Sequence, residues 1–191
     1  MMARKERRAS ALAERKRRKK GLGGPGTEDW AWMAGLLPPQ GGTVLEVGGR
    51  VDGTLALEKR GWHAVAVDAN AVLAQGAFEG EAVDAVTCWL LDPPLGSTAG
   101  AEKLRAMGLR TADEARLALH TLVYRLADRV LRSGGVLQVV DRFPDALDEA
   151  RSTGVVRLQR AQSRGTSMEF AAMDARPHGA GVFVSVRSRK A

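Results

Sequence analysis

The chain of 191 residues has the length of one domain with a substantial core. Its single cysteine excludes a disulfide framework, and no apolar run approaches the roughly 18 residues that a membrane span requires. The formal net charge of +7 is unevenly spread, because residues 1–20 carry +8, residues 21–150 carry −7 and residues 151–191 carry +6. We therefore expect a soluble intracellular protein, cytoplasmic or, in a eukaryote, nuclear.

Residues 1–20 are predicted to form a basic arm. They contain ten Lys and Arg against two Glu and almost no apolar side chains, so they cannot bury a face on a domain. Such a run is typical of contacts with the phosphates of nucleic acid, RNA above all, or with a ribonucleoprotein. An address signal and a solubilising tail are the alternatives. The side chains predicted to bind nucleic acid are Arg4, Lys5, Arg7, Arg8, Arg15, Lys16, Arg17, Arg18, Lys19 and Lys20.

A glycine-rich linker, residues 21–26, is expected to join this arm to one domain over residues 27–191. In the domain, short apolar runs alternate with helical segments, a pattern that predicts a mainly parallel sheet with helices on both faces. The fold class is therefore α/β and doubly wound, with seven strands. The strands are expected at residues 44–47, 63–67, 85–91, 136–140, 155–161 and 182–188, with little room for a full third strand after residue 78.

Helices are predicted between these strands. Thr27 is expected to cap the first helix, which ends before Pro38. Thr111 and Glu114 form the capping box of a long helix that is expected to end at the Ser-Gly-Gly run of residues 133–135. The remaining helices are expected at residues 54–60, 70–78 and 144–151.

The loop after the first strand carries the strongest indication of a ligand site. Gly48 and Gly49 let the main chain approach a ligand, and Asp68 ends the second strand 20 residues later, where its carboxylate can accept hydrogen bonds from ribose hydroxyls. Glu46 lies two residues before Gly48, where a dinucleotide-binding loop normally keeps an apolar residue. The stretch "VLRSGGVLQVV" stands at the fifth strand.

Together these features resemble class I S-adenosylmethionine-dependent methyltransferases over about residues 40–188. The first motif of that family, E/D-x-G-x-G-x-G, stands here as "EVGGRVDG", beside "AVAVD" at the second strand. The resemblance implies a Rossmann-like sheet with an antiparallel last strand, and S-adenosylmethionine as the cofactor. It further implies that Glu46, Gly48 and Gly49 flank the methionine end of the cofactor and that Asp68 holds the ribose. Residues near Cys88 would border the target, and Cys88 itself is assigned to the cofactor site.

The motif departs from the family pattern at Arg50, which replaces its second glycine. The guanidinium could block the cofactor, or the loop could be reshaped with Gly53 making the tight turn later. "DPPL", residues 92–95, is similar to the D/N-P-P-Y/F/W signature of base methylases but lacks its aromatic ring, so we expect a rigid turn over the pocket. Trp89 could supply the ring, but an inward-facing core side chain is the simpler interpretation.

Acid–base groups are sparse. Asp92 is predicted to remove a proton from the acceptor, and His178 is a second candidate base. Cys88 is expected to be a buried, inert strand cysteine and not a nucleophile. The three histidines have no metal-ligand spacing, so no metal is expected.

The leading hypothesis is therefore a methyltransferase that acts on nucleic acid, RNA or rRNA in a ribonucleoprotein above all. The first alternative is a catalytically inactive, methyltransferase-like scaffold or assembly factor that binds RNA or a ribonucleoprotein through its arm. The second alternative is a protein or small-molecule methyltransferase, because residues 21–191 carry 19 basic against 20 acidic side chains.

Overall fold

The computed structural model describes residues 24–39, 41–48, 50–68, 82–91, 102, 105–109, 111–143, 166–179 and 181–191. The predicted basic arm lies outside these residues. So do residues 21–23 of the linker, the helices expected at 70–78 and 144–151, and the strand expected at 155–161.

Three helices and six strands make up the main elements of the described residues. In chain order they are α1 (Thr27–Gly35), β1 (Gly42–Val47), α2 (Val51–Glu58), β2 (Trp62–Val67), β3 (Val83–Trp89), α3 (Ala112–Val130), β4 (Leu131–Phe143), β5 (Met168–His178) and β6 (Gly181–Lys190). No helix among them is long and apolar enough to cross a membrane.

The strands form one mixed sheet in the order β2-β1-β3-β4-β6-β5. The pairs β1–β2, β1–β3 and β3–β4 are parallel, whereas β6 is antiparallel to both β4 and β5. This confirms the doubly wound, mainly parallel sheet with an antiparallel last strand. The described residues supply six strands and not the expected seven, and the penultimate strand is β5, which the sequence pattern did not indicate.

The ends of two helices differ from expectation in part. The N-cap of α1 is Gly26, one residue before the predicted Thr27, and the Asp29 carboxylate accepts a hydrogen bond from the Gly26 N–H at 2.9 Å. The capping box of α3 is confirmed, since Thr111 accepts from the Glu114 N–H and Glu114 accepts from the Thr111 N–H. However, α3 ends at Val130, and the Ser-Gly-Gly run lies inside the first residues of β4.

Two apolar clusters form the core, one on each face of the sheet. Helix α3 packs on one face, where Leu119 and Val123 meet Leu45, Val86 and Leu137. Helices α1 and α2 pack on the other face, and their cluster includes Trp30, Met33, Leu57, Trp89 and Phe183. The covering of both faces explains why the strands read as almost continuous apolar runs.

A buried polar network ties α1 to the sheet. The side-chain amide of Gln138 accepts from Trp89 Nε1 at 3.0 Å and donates to the Met33 carbonyl at 3.0 Å and to Ser185 Oγ at 3.1 Å. Because unpaired buried polar groups are costly, these bonds hold α1 in one position on β3, β4 and β6. Trp89 is fully buried, which agrees with its interpretation as a core side chain.

Candidate functional site

The topology of the sheet creates a crevice between β1 and β3. Strand β1 pairs with β2 on one side and with β3 on the other, so the chain reverses its direction of growth at β1. In open α/β sheets, ligands bind beyond the carboxyl ends of the strands at this point. We call this place the switch-point crevice. Glu46, Gly48, Asp68 and Cys88 all lie at the carboxyl ends of β1, β2 or β3.

Gly48 lies on the side of the switch point next to β2. Its main-chain φ of 133° is a conformation that residues other than glycine rarely adopt. Its N–H donates to the Val67 carbonyl at 2.8 Å, so the main chain of Gly48 stands beside the residue that precedes Asp68. Asp68 is solvent-exposed. The two predicted residues are therefore neighbours, with a solvent-exposed Asp68 next to a half-buried Gly48. Gly49 lies outside the described residues.

Glu46 organises the loop between β1 and α2. It is fully buried, and its Oε2 accepts a hydrogen bond from the Arg50 N–H at 3.2 Å. The carboxylate therefore holds the main chain at the start of α2, where a negative charge also suits the helix dipole. This position gives a physical reason for an acid two residues before Gly48.

Arg50 joins the two sides of the switch-point crevice. It is the N-cap of α2 with an extended conformation, and its Nη2 donates to the Leu90 carbonyl at 3.0 Å. Leu90 directly follows β3 and has a φ of 54°, while its N–H donates to the Val140 carbonyl at 2.8 Å. The guanidinium thus reaches from the end of β1 to the end of β3.

Gly53 has a different role from the expected one. It lies within α2, and a Cβ at this position would come within 3.3 Å of Trp89 Cε3 and 3.5 Å of Trp30 Cζ3. The prediction that Gly53 makes a delayed tight turn was therefore wrong. Instead, its missing side chain lets α2 pack closely on the two tryptophan rings, whose centroids are 6.0 Å apart.

Cys88 points into the core beneath α3. Its side chain is fully buried, and burial together with the charges of Asp141 and Glu46 raises the pKa of the thiol well above its ordinary range. A thiolate is strongly disfavoured there, as the expectation of an inert cysteine requires. The assignment of Cys88 to the cofactor site stays a prediction, as does that of Asp92, which lies outside the described residues together with the basic side chains of the arm.

Two further features of the molecule were missed by sequence reasoning. The first is a contact between His178 Nδ1 and Asp29 Oδ2 at 3.0 Å, which joins residues 149 positions apart. The sequence offered Asp29 only as an acid in the first turn of a helix. The second is a surface groove between α1 and α2, with a volume of about 340 Å³ and a floor that includes Trp30, Leu55 and Ala56.

Among the residues that the structure describes, no group of three or more His, Cys, Asp or Glu side chains could hold a metal ion.

Solved structures of other proteins share this arrangement, although no protein-family model and no curated protein matches the chain. TrmN from Thermus thermophilus is 14% identical with a TM-score of 0.51, over 86% of this chain and 48% of that chain. A protein provisionally assigned as a hemolysin, from Lactococcus lactis, is 14% identical with a TM-score of 0.51, over 91% of this chain and 88% of that one. A provisionally assigned methyltransferase, BH2331 from Bacillus halodurans, is 16% identical with a TM-score of 0.49, over 87% and 99%.

This chain spans about half the length of TrmN, with 48% of that chain covered. At such low identities the similarity concerns the fold alone. A structure described as an S-adenosylmethionine-dependent methyltransferase is among those matched. The described part of this chain has the Rossmann-like fold of class I S-adenosylmethionine-dependent methyltransferases.

Proposed function

We propose that this chain binds S-adenosylmethionine in the switch-point crevice and transfers its methyl group to nucleic acid, with RNA or rRNA in a ribonucleoprotein as the favoured acceptor. One observation carries the cofactor part of this proposal. The main chain of Gly48, in a conformation suited to glycine, stands beside the end of β2, where Asp68 presents an exposed carboxylate. The methyltransferase fold supports the choice of cofactor.

Each residue around the crevice has a role in this proposal. Asp68 accepts hydrogen bonds from the ribose hydroxyls, while Gly48 and Gly49 offer main chain to the methionine end. Glu46 positions the loop by holding the Arg50 N–H. The bound sulfonium supplies an activated methyl group. The chain's contribution is mainly to align the acceptor with the methyl–sulfur bond and to accept its proton.

The charge distribution supports nucleic acid as the acceptor. The arm of residues 1–20 carries +8 and residues 151–191 carry +6, whereas residues 21–150 carry −7. Basic side chains that neutralise phosphates release counterions, so the resulting affinity depends steeply on salt. If the arm is the RNA contact, deleting residues 1–20 will weaken RNA binding and flatten its salt dependence, with unchanged cofactor affinity. Full retention of RNA binding would contradict the arm as the RNA contact, whereas an arm-deleted chain that still methylates a protein or a small molecule would favour that class of acceptor.

Calorimetric titration with S-adenosylmethionine tests the cofactor site directly. A hydrogen bond to a charged group contributes about 1.5–3 kcal/mol, so Asp68→Ala is expected to weaken binding roughly 10- to 150-fold. Asp52→Ala is the matched control, because Asp52 is an exposed acid in the first turn of α2. Equal affinities for Asp68→Ala and the wild type would contradict the assignment of Asp68. No binding by the wild type at millimolar cofactor would contradict the proposal that the chain is an S-adenosylmethionine-dependent enzyme.

A second function is favoured by the contact of Arg50 with the Leu90 carbonyl. A guanidinium that permanently closes the switch-point crevice would leave a methyltransferase-like scaffold, which binds RNA or a ribonucleoprotein without chemistry. The two functions share the fold and the arm. They differ in whether the wild-type chain binds the cofactor and in what happens when the guanidinium is removed.

A further inference from the structure

The surface groove between α1 and α2 lies on the face of the sheet opposite α3. Its floor is apolar, since it includes Trp30, Leu55 and Ala56. Pro25 and Gly26, which directly precede α1, also line the groove. Leu55 is 47% exposed, so the groove presents apolar surface to solvent. An accessible apolar groove of this kind indicates a binding surface.

The exposed residues of α2 and of its C-cap fall on one helical face. They are spaced three and four positions apart, as neighbours on a helix surface are, and they are Val51, Asp52, Leu55, Glu58 and Lys59. In the described part of the chain four large apolar side chains are exposed, and two of them, Val51 and Leu55, lie on this face. Exposed apolar side chains that are scattered singly are ordinary, but two in neighbouring turns beside a groove indicate a contact surface.

The charges on this face have opposite signs at its two ends. Asp52 lies in the first turn of α2 and Lys59 is the C-cap, so about 10 Å of helix separates them. The midpoint between the two falls between Leu55 and Ala56. A two-fold axis through this midpoint places Asp52 of one copy opposite Lys59 of another, with Leu55 at the centre. Glu58 then falls opposite Gly53, so this register sets no two like charges against each other.

We propose that the occupant of the groove is a second copy of this chain, and that two chains form a symmetric dimer in which their α2 helices run antiparallel. Val51 and Leu55 of each copy contact the groove of the other, and Asp52 pairs with Lys59 in both directions. The antiparallel arrangement also opposes the two helix dipoles favourably. The inference is independent of the proposed function, because neither the switch-point crevice nor the cofactor takes part in the contact.

RNA is the contrasting occupant, and the charges of the face disfavour it, because a phosphate would meet the exposed carboxylates of Asp52 and Glu58. The size of the face sets the strength of the dimer. Helices α1 and α2 have nine and eight residues, or about 12–14 Å of helix each. Such a face belongs to the smallest specific interfaces, which are weak. We therefore expect a dissociation constant of roughly 1–100 μM.

Sedimentation equilibrium of the full chain tests the dimer, over about 1–500 μM protein and in about 0.3 M salt to screen repulsion between the basic arms. We expect the wild type to pass from monomer to dimer in this range. Leu55→Gln should weaken the association about tenfold or more, because each dimer loses two apolar side chains from its centre. Its melting temperature should stay close to that of the wild type, since Leu55 is 47% exposed. A wild type that stays monomeric throughout would overturn the proposal.

Two charge reversals decide whether the partner is a second copy. Asp52→Lys and Lys59→Asp should each weaken self-association about tenfold, because like charges then meet twice across the two-fold axis. A mixture of the two variants should form a heterodimer with about the affinity of the wild type, because each reversed charge then meets its opposite. Such recovery between two chains cannot arise from contacts within one chain. The mixture also decides the matter if Leu55→Gln fails to fold.

Arg129→Asp is the matched control, because Arg129 is an exposed base in the last turn of α3, on the other face of the sheet. It should leave the association unchanged. An equal loss in this control, a dimer that none of the α2 variants weakens, or a mixture without recovery would overturn the proposal. If all chains are monomeric and Lys59→Asp weakens RNA binding more than Arg129→Asp does, the groove is an RNA contact and the dimer is rejected. Because sedimentation uses neither cofactor nor RNA, failure of the dimer leaves the proposed function standing.

Discussion

Replacing Arg50 by glycine removes the guanidinium that joins the two sides of the switch-point crevice. The side chain donates one charge-assisted hydrogen bond to the Leu90 carbonyl at 3.0 Å. Such a bond contributes about 1.5–3 kcal/mol, and Arg50 is only half-buried, so solvent screening favours the lower figure. The main-chain hydrogen bond to Glu46 remains in the glycine variant, because the donor is the residue 50 N–H.

If the loop accommodates both Arg50 and the cofactor, which we call the adapted loop, Arg50→Gly should bind S-adenosylmethionine up to about tenfold more weakly than the wild type. The reason is that the ends of β1 and β3 lose the connection through the guanidinium. For a blocked site, the wild type would bind nothing and the variant would gain affinity. Arg50→Ser is the companion variant, because serine is a good N-cap and restores backbone rigidity without a guanidinium. A gain of more than tenfold in both variants, measured calorimetrically, would refute the adapted-loop reasoning and favour the scaffold.

Three further predictions follow from packing and burial. Gly53→Ala should lower the free energy of unfolding by about 1–2 kcal/mol, measured in urea. The added methyl group overpacks against Trp89, which is held by a hydrogen bond, and this cost exceeds the gain in helix propensity. A more stable variant would contradict this. The only tyrosine, Tyr124, is buried, and burial raises the pKa of its hydroxyl above 10.0. The free energy of unfolding should therefore be constant below about pH 10 and fall above it, because the unfolded chain loses this proton first. Phenolate absorbance should appear on unfolding. Burial also raises the pKa of the Cys88 thiol, so a thiol reagent should react at pH 8 only after denaturant is added, and rapid native labelling would argue against its buried position.

The local patterns of the sequence predicted the elements that local physics decides. The capping box at Thr111 and Glu114 marked the start of α3 because both hydrogen bonds lie within one turn. The apolar run at 85–91 marked β3 because a strand buried on both faces needs no alternation. Gly48, which follows β1, was also recognised from the local sequence. Its positive φ restricts the position almost to glycine, so the residue type itself marks the loop.

Long-range contacts decided what the sequence could not predict. Strand β5, "MEFAAMDARPH", is only half-buried and pairs with β6 along its whole length, so its formation depends on a partner and not on its own pattern. Gly53 was expected to make a turn, yet its role becomes clear only from the rings of Trp30 and Trp89. The contact of Asp29 with His178 spans 149 positions and leaves no local trace.

In the loop after β1, the main chain and the side chain of residue 50 have separate roles. The Glu46 carboxylate fixes the main chain through the residue 50 N–H, and this bond needs no particular side chain at position 50. The side chain is therefore available for a second task, the bridge to the Leu90 carbonyl. The departure from the motif alters the crevice through one side chain, while Gly48 keeps a positive φ of 133° that residues other than glycine rarely adopt. A transferase and a scaffold would share this main chain, so the position of one guanidinium distinguishes them.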